Sequence, residues 1–214
     1  MKTILECQLY GFVDTAYLHG RPPEVVAQQL CDGGVDLIQV RAKGASLDSI
    51  TQIAKTVQKV THAAGVGLVI NDYFELARQL EADFCHLGQE DFFGAGFEDA
   101  NQLRTKGSAP GLGLSTHRPE QAARALRAQA DYIAIGPIFS TATKPTAQPV
   151  TLDYVRWAAQ NVTGPWFAIG GINLGNLDEV IAAGARRICV VSDILNASDI
   201  VARCREYKSR LIRA

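Results

Sequence analysis

Short apolar runs alternate along the chain with longer stretches in which apolar residues return roughly every three to four positions. The short runs predict strands over residues 8–13, 35–40, 67–70, 83–87, 111–114, 132–135, 166–169 and 187–191. They are rich in Val and Ile and apolar on both faces, as parallel strands covered on each side by helices should be. The longer stretches predict helices over 23–31, 46–64, 73–80, 98–106, 119–128, 152–160, 174–183 and 200–212. Gly33-Gly34, Gly65 and Gly184 follow three of these helices, where glycine takes the left-handed conformation without a Cβ clash. Ser46 and Asn173 fit N-caps, and Pro119 fits a first helical turn. Eight strand–helix units of about 27 residues each predict an α/β chain folded as a single (β/α)8 TIM barrel over residues 1–214. A doubly wound open sheet is the alternative. The first strand is not followed by Gly-x-Gly-x-x-Gly, which counts against a dinucleotide-binding form of it.

Composition narrows the function classes. The chain has 47% hydrophobic residues and a formal net charge of -1. It therefore carries no global field for nucleic acid or an anionic membrane, and any anion site must be local. No apolar run reaches the roughly 18–20 residues of a membrane helix, and the N-terminus lacks a signal-peptide core. These features predict a cytoplasmic protein with small-molecule partners. Self-association into a homo-oligomer is left open. The five cysteines are scattered with no Cys-x-x-Cys pair, as reduced thiols would be.

In a barrel, chemistry gathers where strands end and the following loops begin. Gln39, Arg41 and Lys43 are spaced by two at the end of the second strand and share one face. Two cations there must meet an anion, either a protein carboxylate or a ligand phosphate. The planar fork of arginine and the point charge of lysine suit a diphosphate. The third strand ends in Asn71-Asp72, and the fourth runs through His86 to Asp91. Mg²⁺ commonly takes one or two carboxylates and completes its shell with water and phosphate oxygens, so Asp72 and Asp91 fit a metal–diphosphate site. His86 reads as a packed core histidine. Ser115 follows the fifth strand, to bond a ligand or cap a helix, and His117 lies two residues on. Thr141, Thr143 and Lys144, in the long loop after the sixth strand, form a phosphate grip. Gly170-Gly171 after the seventh strand and Val191-Ser192 after the eighth match the fold's usual phosphate cradle, which implies a second phosphate.

The order and spacing of these motifs resemble the thiamine-phosphate synthase family over about residues 9–195. The motifs are Gln39-x-Arg41-x-Lys43, Asn71-Asp72, His86-Leu87-Gly88-Gln89-x-Asp91, Gly113-x-Ser115-Thr116-His117, Gly136-Pro137-x-x-x-Thr141-x-Thr143-Lys144 and Ala168-Ile169-Gly170-Gly171-Ile172. The resemblance implies a transferase that joins 4-amino-2-methyl-5-hydroxymethylpyrimidine diphosphate to hydroxyethylthiazole phosphate, with Mg²⁺ as cofactor. Arg41, Lys43, Asn71 and Lys144 would hold the diphosphate, and Asp72 and Asp91 the metal. Gln39 would join the substrate-binding set and Ser115 would face the pyrimidine. Thr141, Thr143, Gly171, Val191 and Ser192 would receive the thiazole phosphate. Arg41, Lys43, Lys144 and Ser115 would carry the chemistry, and His117 would not. A thiazole tautomerase of the same superfamily is the alternative. Two stretches depart from the family pattern: the aromatic, glycine-rich segment 92–97, and Pro145, which holds Lys144 toward extended backbone. The first strand, Tyr10 to Asp14, matches it only loosely.

Overall fold

The first strand, β1 (Leu9–Asp14), is buried at every position, so it has no solvent face. The computed structural model describes residues 2–104, 109–141 and 148–212. In it β1 is followed by β2 (Leu37–Arg41), β3 (Gly67–Asn71), β4 (Phe84–Gly88), β5 (Gly111–Thr116), β6 (Tyr132–Ile135), β7 (Trp166–Ile169) and β8 (Ile188–Cys189). Each strand pairs in parallel with the next, and β8 returns to β1 through Leu9–Ile188 and Tyr10–Cys189. That last pairing closes the barrel and excludes the open sheet. The outer helices are α1 (Pro23–Asp32), α2 (Leu47–Ala64), α3 (Phe74–Gln79), α4 (Gln89–Gly94), α5 (Pro119–Arg127), α6 (Thr151–Asn161), α7 (Leu177–Ala182), α8 (Ser192–Leu195) and α9 (Ile200–Ile212). The expected (β/α)8 barrel is the observed fold. No helix among the described residues is long and apolar enough to cross a membrane.

Local signals account for most boundaries. Ser46 Oγ accepts from Ser49 N at 3.2 Å to open α2, and Gly65 ends that helix at φ 66°. Pro119 opens α5, where its missing N–H costs nothing. Two expectations are corrected. Over the described residues 98–104, the helix expected over 98–106 is only a 3-10 turn, Ala100–Gln102, capped by Asp99; 105 and 106 lie outside the described residues. The chain coils earlier, as α4, whose first turn carries Glu90 and Asp91 and therefore complements the helix dipole. Asn173 does not cap α7. Its Oδ1 accepts from Gly175 N and Asn176 N, shaping the preceding turn, and the cap position falls to Asn176.

Aromatic rings fill the barrel interior. Tyr10, Tyr132 and Phe167 meet edge to face at 5.5–6.1 Å, and Phe84 meets Tyr132 at 5.6 Å. Such pairs add to the burial energy of their area. The five cysteines are free. Burial pushes Cys7 and Cys31 up to about 11 and Cys204 up to about 12, and it raises Cys85 and Cys189 well above the usual thiol value.

Candidate active site

The C-terminal ends of the strands open on one cavity of about 150 Å³. Of the thirteen residues singled out in the sequence, eleven line it: Gln39, Arg41, Lys43, Asn71, Asp72, Asp91, Ser115, Thr141, Gly171, Val191 and Ser192. Thr143 and Lys144 lie outside the described residues.

Both cations of the second strand's end meet protein carboxylates. Asp14 and Arg41 are register partners on β1 and β2, and Arg41 Nη1 donates to Asp14 Oδ2 at 2.6 Å. Asp14 is 1% exposed. Its other oxygen accepts from Ala16 N at 3.0 Å and caps the 3-10 turn Thr15–Tyr17. Lys43 Nζ pairs with Asp72 Oδ2. Asp72 sits at φ 66°, a conformation that aspartate tolerates better than most residues, and its N–H donates to His86 O at 2.9 Å. The protein-carboxylate alternative is thus observed at both cations, and Arg41, Lys43 and Asp72 line the cavity.

The donor set suits a hard cation held jointly with substrate. Among the described residues no group of three or more His, Cys, Asp or Glu side chains could hold a metal ion on protein ligands alone. Mg²⁺ does not need one, since it keeps water and takes phosphate oxygens beside one or two carboxylates. Among the described residues, Asp72 Oδ1 has no partner beside the Lys43 pair at Oδ2. Asp91 folds its carboxylate back over the backbone of Gly88, where a Cβ would stand 2.6 Å from Asp91 Oδ2.

On the opposite rim the backbone itself forms much of the surface. Gly170 and Gly171 take φ 100° and 66°. A Cβ on Gly171 would lie 2.7 Å from both Phe139 Cβ and Ser140 O, so no other residue fits this close approach. Phe139 N donates to Gly170 O at 3.1 Å and Ile138 N to Ile169 O at 2.9 Å, which seats the loop after β6 against the end of β7. Thr141, Gly171 and Ser192 also line an adjoining open cavity of about 440 Å³, together with Arg203. Arg203 is braced there by Asp193 Oδ2 at 2.6 Å.

Asp14 and Tyr10 were not read as site residues from the sequence, and His86 and His117 were read there without a role in the site. Asp14 ends an apolar run just as Arg41 and Asn71 do, and that position was its signal. His86 is not a sealed core histidine: it is half-buried, lines the cavity, and its Nδ1 lies 3.1 Å from Tyr132 Oη. Tyr10 lines the cavity from β1, and burial pushes its hydroxyl well above the usual tyrosine range. His117 lines the cavity with its Nδ1 against Gly136 O.

A family model described as thiamine monophosphate synthase matches residues 9–194. Over 212 residues the chain is 36% identical to a thiamine-phosphate synthase of Lawsonia intracellularis, covering 98% of this chain and 95% of that one. It is 44% identical to a thiamine-phosphate synthase of Thermus thermophilus over 180 residues, 84% of each chain. Among solved structures, thiamine phosphate pyrophosphorylase from Pyrococcus furiosus superposes with a TM-score of 0.84 at 26% identity, covering 97% of this chain and 96% of that one. Matched by this model over residues 9–194 and by a relative 36% identical over nearly its whole length, the chain belongs to the thiamine monophosphate synthase family.

Proposed function

We propose that this barrel condenses 4-amino-2-methyl-5-hydroxymethylpyrimidine diphosphate with hydroxyethylthiazole phosphate, releasing thiamine monophosphate and diphosphate. The observation that carries the reading is the convergence of Arg41, Lys43, Asn71, Asp72 and Asp91 on one rim of a cavity whose other rim is Thr141, Gly171, Val191 and Ser192. One rim suits a diphosphate and the other a monophosphate. The whole chain, residues 1–214, acts as one catalytic unit on small molecules in the cytoplasm, without nucleic acid or membrane partners.

Arg41 and Lys43 bind the diphosphate and stabilise the charge that grows on it as it leaves. Fixed cations do this without reorganising at the moment of reaction. Asn71 adds an amide donor, and Lys144, from the loop after β6, would extend the grip. Asp72 and Asp91 would hold Mg²⁺, which when bound supplies Lewis-acid stabilisation of the leaving diphosphate. Gln39 and Ser115 orient the pyrimidine, whose own electrons stabilise the carbocation left behind. Thr141, Gly171, Val191 and Ser192, which Thr143 would join, seat the thiazole phosphate so that the ring nitrogen meets that carbon. Holding the two partners in place accounts for much of the rate, and no side-chain acid–base step is needed.

The test is direct. The purified chain with Mg²⁺ and both substrates should form thiamine monophosphate and diphosphate, and a chelator should stop it. No product across varied pH and metal would sink the reading. Isomerisation of a thiazole precursor, without metal or pyrimidine, would mark a tautomerase instead.

A further inference from the structure

Four polar side chains cross the barrel interior beneath the cavity as one hydrogen-bonded line. Gln39 Nε2 donates to Tyr10 Oη at 2.6 Å. The Tyr10 and Tyr132 hydroxyls are 3.1 Å apart, and Tyr132 Oη is 3.1 Å from His86 Nδ1. Gln39, Tyr10 and His86 line the cavity, while Tyr132 is fully buried. The neighbouring strand makes room for it: a Cβ on Gly113, the register partner of Tyr132, would stand 2.1 Å from Tyr132 Cζ.

The line has a direction. An amide nitrogen only donates, so the Tyr10 oxygen accepts from Gln39 and passes its own proton toward Tyr132. Tyr132 accepts that bond and donates in turn to His86 Nδ1. Burial pushes both hydroxyls well above the ordinary tyrosine value, so both keep the protons this requires. His86 then carries its hydrogen on Nε2. Reversing one link alone would leave a buried hydroxyl proton without an acceptor, so the links are coupled. The direction of the line and the orientation of the Gln39 amide are therefore coupled. Nε2 is committed to Tyr10, and among the described residues Gln39 Oε1 accepts no bond.

We propose that Tyr132, which touches no ligand, is a positioning residue that sets the specificity of the pyrimidine pocket. By polarising the line toward His86 it holds Gln39 Oε1 to the cavity as an acceptor. The site then takes a ring with an exocyclic amino donor and rejects the counterpart with an oxo acceptor there. Opposed acceptors leave both groups unpaired in a buried site, which discriminates more strongly than a missing apolar contact. The proposal rests on the synthase reading for the choice of ring.

The experiment uses Tyr132→Phe in the full chain, which keeps the ring and removes the hydroxyl. Calorimetry would measure binding of hydroxymethylpyrimidine, its oxo counterpart and inorganic diphosphate, and two-bond ¹H–¹⁵N correlations would report the His86 tautomer. Wild type should prefer the amino ring by about tenfold or more. The variant should bring that ratio to within about threefold, mainly by losing amino-ring affinity. Its diphosphate affinity should be unchanged, and the single Nε2–H signature of His86 should be lost. A ratio retained in the variant would overturn the proposal, as would parallel loss of ring and diphosphate binding with a lowered Tm. Should Tyr132→Phe fail to fold, Tyr10→Phe breaks the same line one link nearer Gln39 and must collapse the same ratio. Ring discrimination is read without turnover, so it stands or falls separately from the synthesis assay.

Discussion

Arg41 reaches the cavity with one guanidinium nitrogen already committed to Asp14, and the fold holds that fork in one orientation. Asp14→Ala would leave a largely buried guanidinium without its counter-charge. The expected cost is about 3 kcal/mol in urea unfolding, with weaker diphosphate binding alongside it. Asp72→Asn should behave differently. Asparagine tolerates the same positive φ and keeps a side-chain oxygen, so the fold should survive. Mg²⁺-dependent turnover should fall about a hundredfold or more, since several kcal/mol of charge stabilisation depend on that carboxylate. Equal losses of stability and activity, followed across a Mg²⁺ titration, would make Asp72 a structural residue. Arg41, Lys43, Asp72 and Asp91 were legible because charged residues directly after apolar strands have few structural reasons to be there. The partner of Arg41 was not legible, because the register of β1 against β2 assigns Asp14 to it.

Helix α2 shows an element whose limits are written locally, in a serine cap and a left-handed glycine. Ser46→Ala should cost about 1 kcal/mol and lower Tm by about 2–4 °C, with activity unchanged. The segment after β4 shows the opposite case. Apolar periodicity pointed to 98–106, yet the backbone turns into α4 as soon as β4 ends, and Phe92 packs into the core. Periodicity registers a buried face but not which of two adjacent stretches the neighbouring elements leave room for. At the end of β7 the local signal is again strong. Gly171→Ala combines strained φ with contact against Phe139 and Ser140, so it should displace the phosphate cradle. KM for the thiazole phosphate should rise about tenfold or more, while affinity for inorganic diphosphate on the opposite rim stays level.

The far end of the barrel from the site is tied by one carboxylate. Asp36 accepts from Gln8 N and Leu9 N at the start of β1, and pairs with Lys2 and with Lys208 of α9. Burial pushes its carboxyl up, but the backbone N–H of Leu9, the two lysines and the N–H of Gln8 together outweigh this and hold it below the usual value. A carboxylate lowered in the folded state adds stability above its unfolded pKa and loses it as pH falls through its folded pKa. Acid titration of unfolding free energy should therefore show wild type losing stability below about pH 4, with part of that slope missing in Asp36→Asn. Identical slopes would mean the clamp carries no net proton linkage.

The sequence by itself determined the alternation of strands and helices, the eight units, and the charged and glycine positions at strand ends. Each of these is written in residues close together in the chain. Tertiary structure decided the pairings across it: Asp14 with Arg41, Lys43 with Asp72, and Gln39 through Tyr10 and Tyr132 to His86. Those contacts depend on strand register and on barrel closure, which bring together groups up to 122 positions apart. Hydrophobic periodicity carries no information about such distances.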